Sequence, residues 1–245
     1  MTTKPIVQLD RIALGYRQQA GLPWKRSTYW AIEDISFDLR KGDTLGIIGR
    51  NGAGKSSLLR LISGIINPDR GTINRDPRTK TTLLSFGAGF EPRLTGRQNI
   101  ILNGLQLGIP KEHIIAQIDS IIELADIGEF INQPVRAYST GMRARLGFAI
   151  AYCVETDILL IDEALAAGDE HFRAKATKLI KEKIDSDLTV VIVSHSMNLI
   201  EKTCTRVIQV EHGRSLEELS PKKTIERYRN TTRSDEPTQR KLVTV

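Results

Sequence analysis

The sequence predicts an α/β fold: a mixed, mostly parallel sheet with an inserted α-helical subdomain. Three observations predict it. Short β-branched, apolar runs alternate with helical periodicities along most of the 245 residues. Helices that separate such strands place them parallel in one sheet. The alternation breaks between about 95 and 155, where the spacing stays helical. A single domain over 1–230 is expected, followed by a polar, disordered tail over 231–245.

The elements follow in order. Ile6–Ile12 and Trp30–Leu39 read as strands with a period near two. Between them Gly15–Thr28 carries Gly21, Pro23 and basic residues, and reads as a loop or irregular insertion. Leu45–Ile48 is a short buried strand, and Ser57–Ile62 is helical. Asn67–Gly71 is turn chemistry, and Thr81–Phe86 is a strand. Thr95 and Gln98 fit a capping box that opens a helix to about Leu107. Lys111–Ala125 and Gly141–Val154 complete the helical block. Strand Ile158–Asp162, helix Glu170–Ile184, strand Thr189–Ser194, helix Met197–Lys202, strand Arg206–Val210 and helix Pro221–Arg229 finish the chain.

Composition narrows the classes. At 40% hydrophobic and 26% charged residues, the chain is neither low-complexity nor collagen-like. It holds no run of 18 apolar residues, so no transmembrane helix is expected. The N-terminus lacks the apolar core of a secretory signal. Cys153 and Cys204 are far apart and are expected to be reduced, structural thiols in a cytosolic setting. The net charge of +6 permits anionic partners but selects none.

The strongest signal is Gly49-Arg50-Asn51-Gly52-Ala53-Gly54-Lys55-Ser56, between a strand and a helix. Glycines let successive N–H groups turn toward one point, and the following helix adds its positive end. Lys55 is expected to reach the β- and γ-phosphates of a nucleotide, and Ser56 to offer its hydroxyl to Mg²⁺, with Ser57 beside it. The apolar run Ile158–Ile161 ends in Asp162-Glu163. Asp162 is expected to hold the same Mg²⁺, and Glu163 to orient or deprotonate the attacking water. His195 follows a second such strand and is expected to meet the γ-phosphate. His113, His171 and His212 are read as solvated.

Tyr138-Ser139-Thr140-Gly141-Met142-Arg143 opens a helix about twenty residues before the Asp-Glu strand. It resembles the signature motif of ABC transporter ATPases, whose common form is Leu-Ser-Gly-Gly-Gln; here Thr140, Met142 and Arg143 replace the usual neighbours. With Leu94–Ile100, Asp162–Asp169 and Val193–Ser196, the chain is similar to the nucleotide-binding subunits of O-antigen, capsular polysaccharide and teichoic acid exporters, from about Ile6 to Arg214.

The resemblance implies a P-loop ATPase that works as a head-to-tail homodimer on ATP and Mg²⁺. It implies that Ser139 and Gly141 meet the partner subunit's γ-phosphate, and that Asp169 runs along the interface. It further implies a polytopic permease and lipid-linked polysaccharide as cargo, O-antigen or capsule, at the cytoplasmic face of the bacterial inner membrane. No nucleic acid is expected. Teichoic acid export is the nearest alternative; a soluble ABC ATPase acting on nucleic acid or ribosomes, or an importer subunit, ranks lower. One departure stands out. Leu84–Glu91 lacks the Gln usual before the helical subdomain, and neither Ser85 nor Glu91 is assigned its role. Adenine is expected to stack on an aromatic ring of the second strand. Tyr29 is the leading candidate; Tyr16 and Trp30 stay open.

Overall fold

The computed structural model describes residues 5–19, 26–84, 89–162 and 170–234. One sheet organises them, in the order β4-β1-β2-β9-β8-β3-β7-β6-β5. Its inner strands are β3 (Thr44–Ile48), β6 (Ile158–Ile161) and β7 (Thr189–Val193). All three are buried throughout, which is why they read as unbroken apolar runs. β5 (Thr81–Leu84) and β8 (Arg206–Glu211) complete a parallel half. The other half is antiparallel: β1 (Val7–Gln19) pairs with both β2 (Arg26–Leu39) and β4 (Arg70–Arg75). The short β9 (Arg214–Ser215) joins the halves between β2 and β8.

This antiparallel half corrects the expected loop over Gly15–Thr28. β1 continues to Gln19 and β2 starts at Arg26, with Gly15 opposite Trp30 and Tyr16 opposite Tyr29. The register shifts three times between Leu9 and Gly15, and Arg11 adopts a positive φ of 45°. Each shift breaks the two-residue period, so the apolar alternation stops at Ile12 while the backbone ladder goes on. β4 begins inside the stretch read as a turn. Its residues are exposed or half-buried, so it carries no apolar signal.

Two cores lie on the faces of the sheet. Helix α1 (Lys55–Ser63) buries Leu58, Leu59, Leu61 and Ile62 on one. On the other, Phe172 and Ile180 of α5 (Glu170–Ile184), Ile200 of α6 (Met197–Thr203) and Ile225 of α7 (Pro221–Ser234) pack together. Helix α7 runs to Ser234, where a disordered tail from 231 was expected; Thr231 Oγ1 donates to the Arg227 carbonyl at 3.0 Å, in helical spacing.

The helical subdomain has a third core. It comprises α2 (Gly96–Gln106), α3 (Lys111–Ala125), 3₁₀ turns at Gly128–Asn132 and Val135–Ala137, and α4 (Thr140–Cys153). Ile114, Ile118 and Ile121 of α3 meet Leu146 and Ile150 of α4 there. Phe148 of the same α4 packs into the sheet core, edge-on to Phe172 at 5.4 Å. One helix thus belongs to both cores and fixes the subdomain against the sheet.

Both cysteines are free thiols, and Cys204 is buried. Far from the glycine-rich loop, Arg206 gathers Asp38, Asp43 and Glu218 at 2.6–3.2 Å, tying the starts of β3 and β8 to the end of β2.

Candidate nucleotide site

The glycine-rich loop joins β3 to α1, as the sequence predicts. Gly49 is buried under β8: a Cβ there would overlap the Val210 carbonyl oxygen. Gly54 caps α1 at φ +96°, and a Cβ there would overlap the Ala31 carbonyl. No side chain caps this helix. The positive end of this helix faces the loop, where it stabilises an anion. Lys55 is buried, and its Nζ donates to the carbonyls of Gly49 at 2.8 Å and Arg50 at 3.0 Å. The ammonium is held inside the loop it serves.

A pocket of about 440 Å³ opens beside this loop, lined by Tyr16, Tyr29, Asn51, Gly52, Lys55, Ser56 and Ser57 among others. Tyr16 and Tyr29, opposite each other on the hairpin, form its aromatic wall. Both rings are exposed; the Tyr16 hydroxyl lies 3.1 Å from Ser57 Oγ, and that of Tyr29 donates to the Gly52 carbonyl at 3.4 Å. Trp30 carries the Arg70 guanidinium 4.5 Å from its ring centroid. A neighbouring pocket of about 290 Å³ joins Tyr29, Trp30, Arg50 and Ala53 to Glu211, His212 and Gly213. Those last three were missed in the sequence, and His212, exposed as expected, borders the site.

Strand register brings the other candidates to the same end of the sheet. Ile47 of β3 pairs with Val193, and Ile161 of β6 with Ile192. Asp162, half-buried, and His195, exposed, therefore follow strands that end level with the strand entering the loop. Glu163 and Asp169 lie outside the described residues. The oxygen donors of Ser56 and Asp162 suit a hard cation such as Mg²⁺. Among the described residues no group of three or more His, Cys, Asp or Glu is placed to hold a metal ion.

Ser139 and Gly141 stand elsewhere. Ser139 is the N-cap of α4, its Oγ accepting the Met142 N–H at 3.1 Å. Gly141 is half-buried and open: a Cβ there would touch Ser139 Oγ alone, at 3.8 Å. Arg143 donates to the Tyr138 carbonyl at 2.8 Å and reaches Thr140 Oγ1 at 3.5 Å. Neither residue lines the two pockets at the glycine-rich loop. As for the missing Gln, Glu91 turns its carboxylate to the Arg93 N–H at 3.3 Å, and Ser85 lies outside the described residues.

Comparison with known proteins agrees with this geometry. The ABC transporter family model matches residues 32–166. The chain is 45% identical to the O-antigen export system ATP-binding protein RfbB of Klebsiella pneumoniae, over 84% of this chain and 83% of the relative. It is 44% identical to the teichoic acids export ATP-binding protein TagH of Lactiplantibacillus plantarum, over 82% of this chain but 55% of the longer relative. In fold it matches a dimeric ATP-binding cassette solved in a post-hydrolysis state with ADP and Pi, at a TM-score of 0.71 and 22% identity, over 88% of this chain and 98% of that one. A phosphate loop with a buried lysine, a sheet that gathers Asp162 and His195 beside it, and relatives matched over most of their length lead to one conclusion: the chain belongs to the ABC transporter family and is an ATPase.

Proposed function

We propose that this chain is the ATP-hydrolysing subunit of an exporter that drives lipid-linked polysaccharide, O-antigen or capsule, across the bacterial inner membrane. The observation that carries the reading is the match to RfbB over 83% of that protein's length. Teichoic acid is the second cargo, on the strength of the match to TagH. No helix among the described residues is long and apolar enough to cross a membrane, so a polytopic permease supplies the path in this reading. The chain sits at the cytoplasmic face through that permease, and nucleic acid has no part.

The division of the site supports a head-to-tail homodimer. The phosphate loop with Tyr29, and the α4 N-terminus with Ser139 and Gly141, are separate surfaces of one chain. Two copies facing each other put one subunit's α4 against the other's nucleotide, where N–H groups and the positive helix end stabilise charge on the γ-phosphate. Lys55 binds the β- and γ-phosphates, Glu163 activates water, His195 contacts the γ-phosphate, and Asp169 lines the interface. Ser56 and Asp162 would hold Mg²⁺, which would supply charge neutralisation at the phosphates.

The test is reconstitution of the chain with the polytopic membrane protein encoded beside it. ATP-dependent movement of lipid-linked polymer into vesicles, lost in Lys55→Ala, is the expected result. Stable ATPase with no membrane partner, co-purifying with RNA or DNA, would overturn the reading.

A further inference from the structure

One buried amide holds residues 91–95, the turn that leads into α2. Asn99 lies in the first turn of α2 and is fully buried. Its Nδ2 donates toward the carbonyls of Glu91 at 3.1 Å, Leu94 at 3.1 Å and Thr95 at 3.0 Å, and its Oδ1 accepts the Glu91 N–H at 2.8 Å. Two amide hydrogens are thus shared among three carbonyls. Residues 91–95 are wrapped around a single side chain.

The next segment is built on that turn. The Val135 N–H donates to the Leu94 carbonyl at 2.9 Å, and the Arg136 N–H to the Pro92 carbonyl at 2.9 Å. The Gly96 N–H returns to the Gln133 carbonyl at 3.3 Å, and Thr95 bridges Pro134. The segment ends at Tyr138, whose buried ring donates its hydroxyl to the Phe130 carbonyl at 2.6 Å. That hydroxyl fills the space above Gly96, where a Cβ would overlap it. Burial pushes the Tyr138 phenol above its ordinary pKa, so it stays a donor. Ser139, the cap of α4, is the next residue. Hydrogen-bonded backbone therefore runs from Asn99 through 91–95 and 133–138 to Ser139.

We infer that Asn99 is a positioning residue for hydrolysis: by fixing the 91–95 turn it sets where the Ser139 end of α4 stands. The inference rests on the proposed reading that this end meets the nucleotide of the second subunit. Asn99 then acts on the partner's ATP and not on its own chain's phosphate loop. A displacement of about 1 Å at such a group can cost about 10²-fold in rate.

Mixed dimers of the full chain separate this from a general loss of fold. Asn99→Leu keeps the side-chain shape and removes every hydrogen bond; Asn99→Asp keeps the acceptor and serves if the first does not fold. In either homodimer kcat should fall about 10²-fold, while a fluorescent non-hydrolysable ATP analogue binds within about twofold of wild type. Opposite a Lys55→Ala chain, an Asn99→Leu chain should keep one working site. With both substitutions on one chain opposite wild type, turnover should drop to background. The reverse ranking overturns the inference. Equal loss in the two arrangements also overturns it, because it marks a fold defect. Ser139→Ala in the same pairings is the control: if it acts in cis, the two-subunit reading fails. If it acts in trans while Asn99→Leu does not, the role of Asn99 alone fails.

Discussion

Gly52 and Gly54 make a matched pair for testing how the phosphate loop is built. Both hold positive φ, +80° and +96°, in the same turn. Alanine in the left-handed region costs about 1–2 kcal/mol. It recovers about 0.4–1 kcal/mol by restricting the unfolded chain. Nothing lies within 4 Å of a Cβ at Gly52, so Gly52→Ala should cost about 1 kcal/mol. At Gly54 the Cβ would overlap the Ala31 carbonyl, a backbone atom of β2 that cannot rotate away. Overpacking of that kind adds about 1–3 kcal/mol. Gly54→Ala should therefore cost about 3 kcal/mol, and the melting temperatures should differ by about 4–8 °C. Ala31 lies two residues from Tyr29, so relieving the overlap also moves the aromatic wall. The assay is urea unfolding without nucleotide, followed by titration with the ATP analogue. Gly54→Ala should lose nucleotide affinity well beyond Gly52→Ala. Equal stabilities within about 0.5 kcal/mol, or equal affinities, would refute the reasoning that β2 sets the loop.

Glu163→Gln should bind ATP normally and lose about 10²–10⁴-fold in hydrolysis, read by single-turnover kinetics; near-normal turnover would remove Glu163 as the base. Tyr29→Ala should weaken ATP binding by about 1–3 kcal/mol, the range for a base stacked on an aromatic ring. Tyr16→Ala should do less, and the opposite order in titration calorimetry would move the adenine to Tyr16. Burial pushes the Cys204 thiol up to about 11, against the Thr203 hydrogen bond that lowers it. A thiol kept neutral in the fold stabilises fully below the unfolded value of about 8.5, and that contribution fades as pH rises toward 11. Urea midpoints between pH 8 and 11 should thus fall more steeply for wild type than for Cys204→Ala.

The phosphate loop was legible because its chemistry is contiguous: eight residues carry the turn, the cation and the helix start. Asp162 and His195 were legible because apolar strands end at them, and strand register then sets them level with the loop. The hairpin was not, since bulges between Leu9 and Gly15 erase its period while its backbone pairing persists. The walls of the site were harder still. The carbonyls of Ala31 and Val210, and residues Glu211–Gly213, arrive through sheet order and largely through backbone atoms, which no residue type announces. Asn99 left a trace that could have been read: an amide beside Ile100 in the first turn of a helix, four residues after its cap. A polar group on a buried face needs partners, and the nearest are the carbonyls of the incoming turn.

The separation of Ser139 from the phosphate loop has an electrostatic consequence for the proposed dimer. The α1 N-terminus carries Lys55 and no capping side chain, while the α4 N-terminus carries Arg143, a cation where the helix dipole disfavours one. Two helix ends of about half a charge, about 8 Å apart at an effective dielectric near 20, repel by about 0.5 kcal/mol before the side chains are counted. One negative charge about 4 Å from each end attracts each by about 2 kcal/mol on the same scale. A phosphate already held at one end brings only its attraction to the facing end as new energy on association, so it reverses the sign of the contact and shifts it by about 2 kcal/mol at each site, about one and a half decades. Neither surface has reason to meet the other until nucleotide supplies the charge. In that proposed dimer, cleavage that lets the γ-phosphate leave would return the pair toward repulsion, so the same two helix ends would drive both closure and reopening.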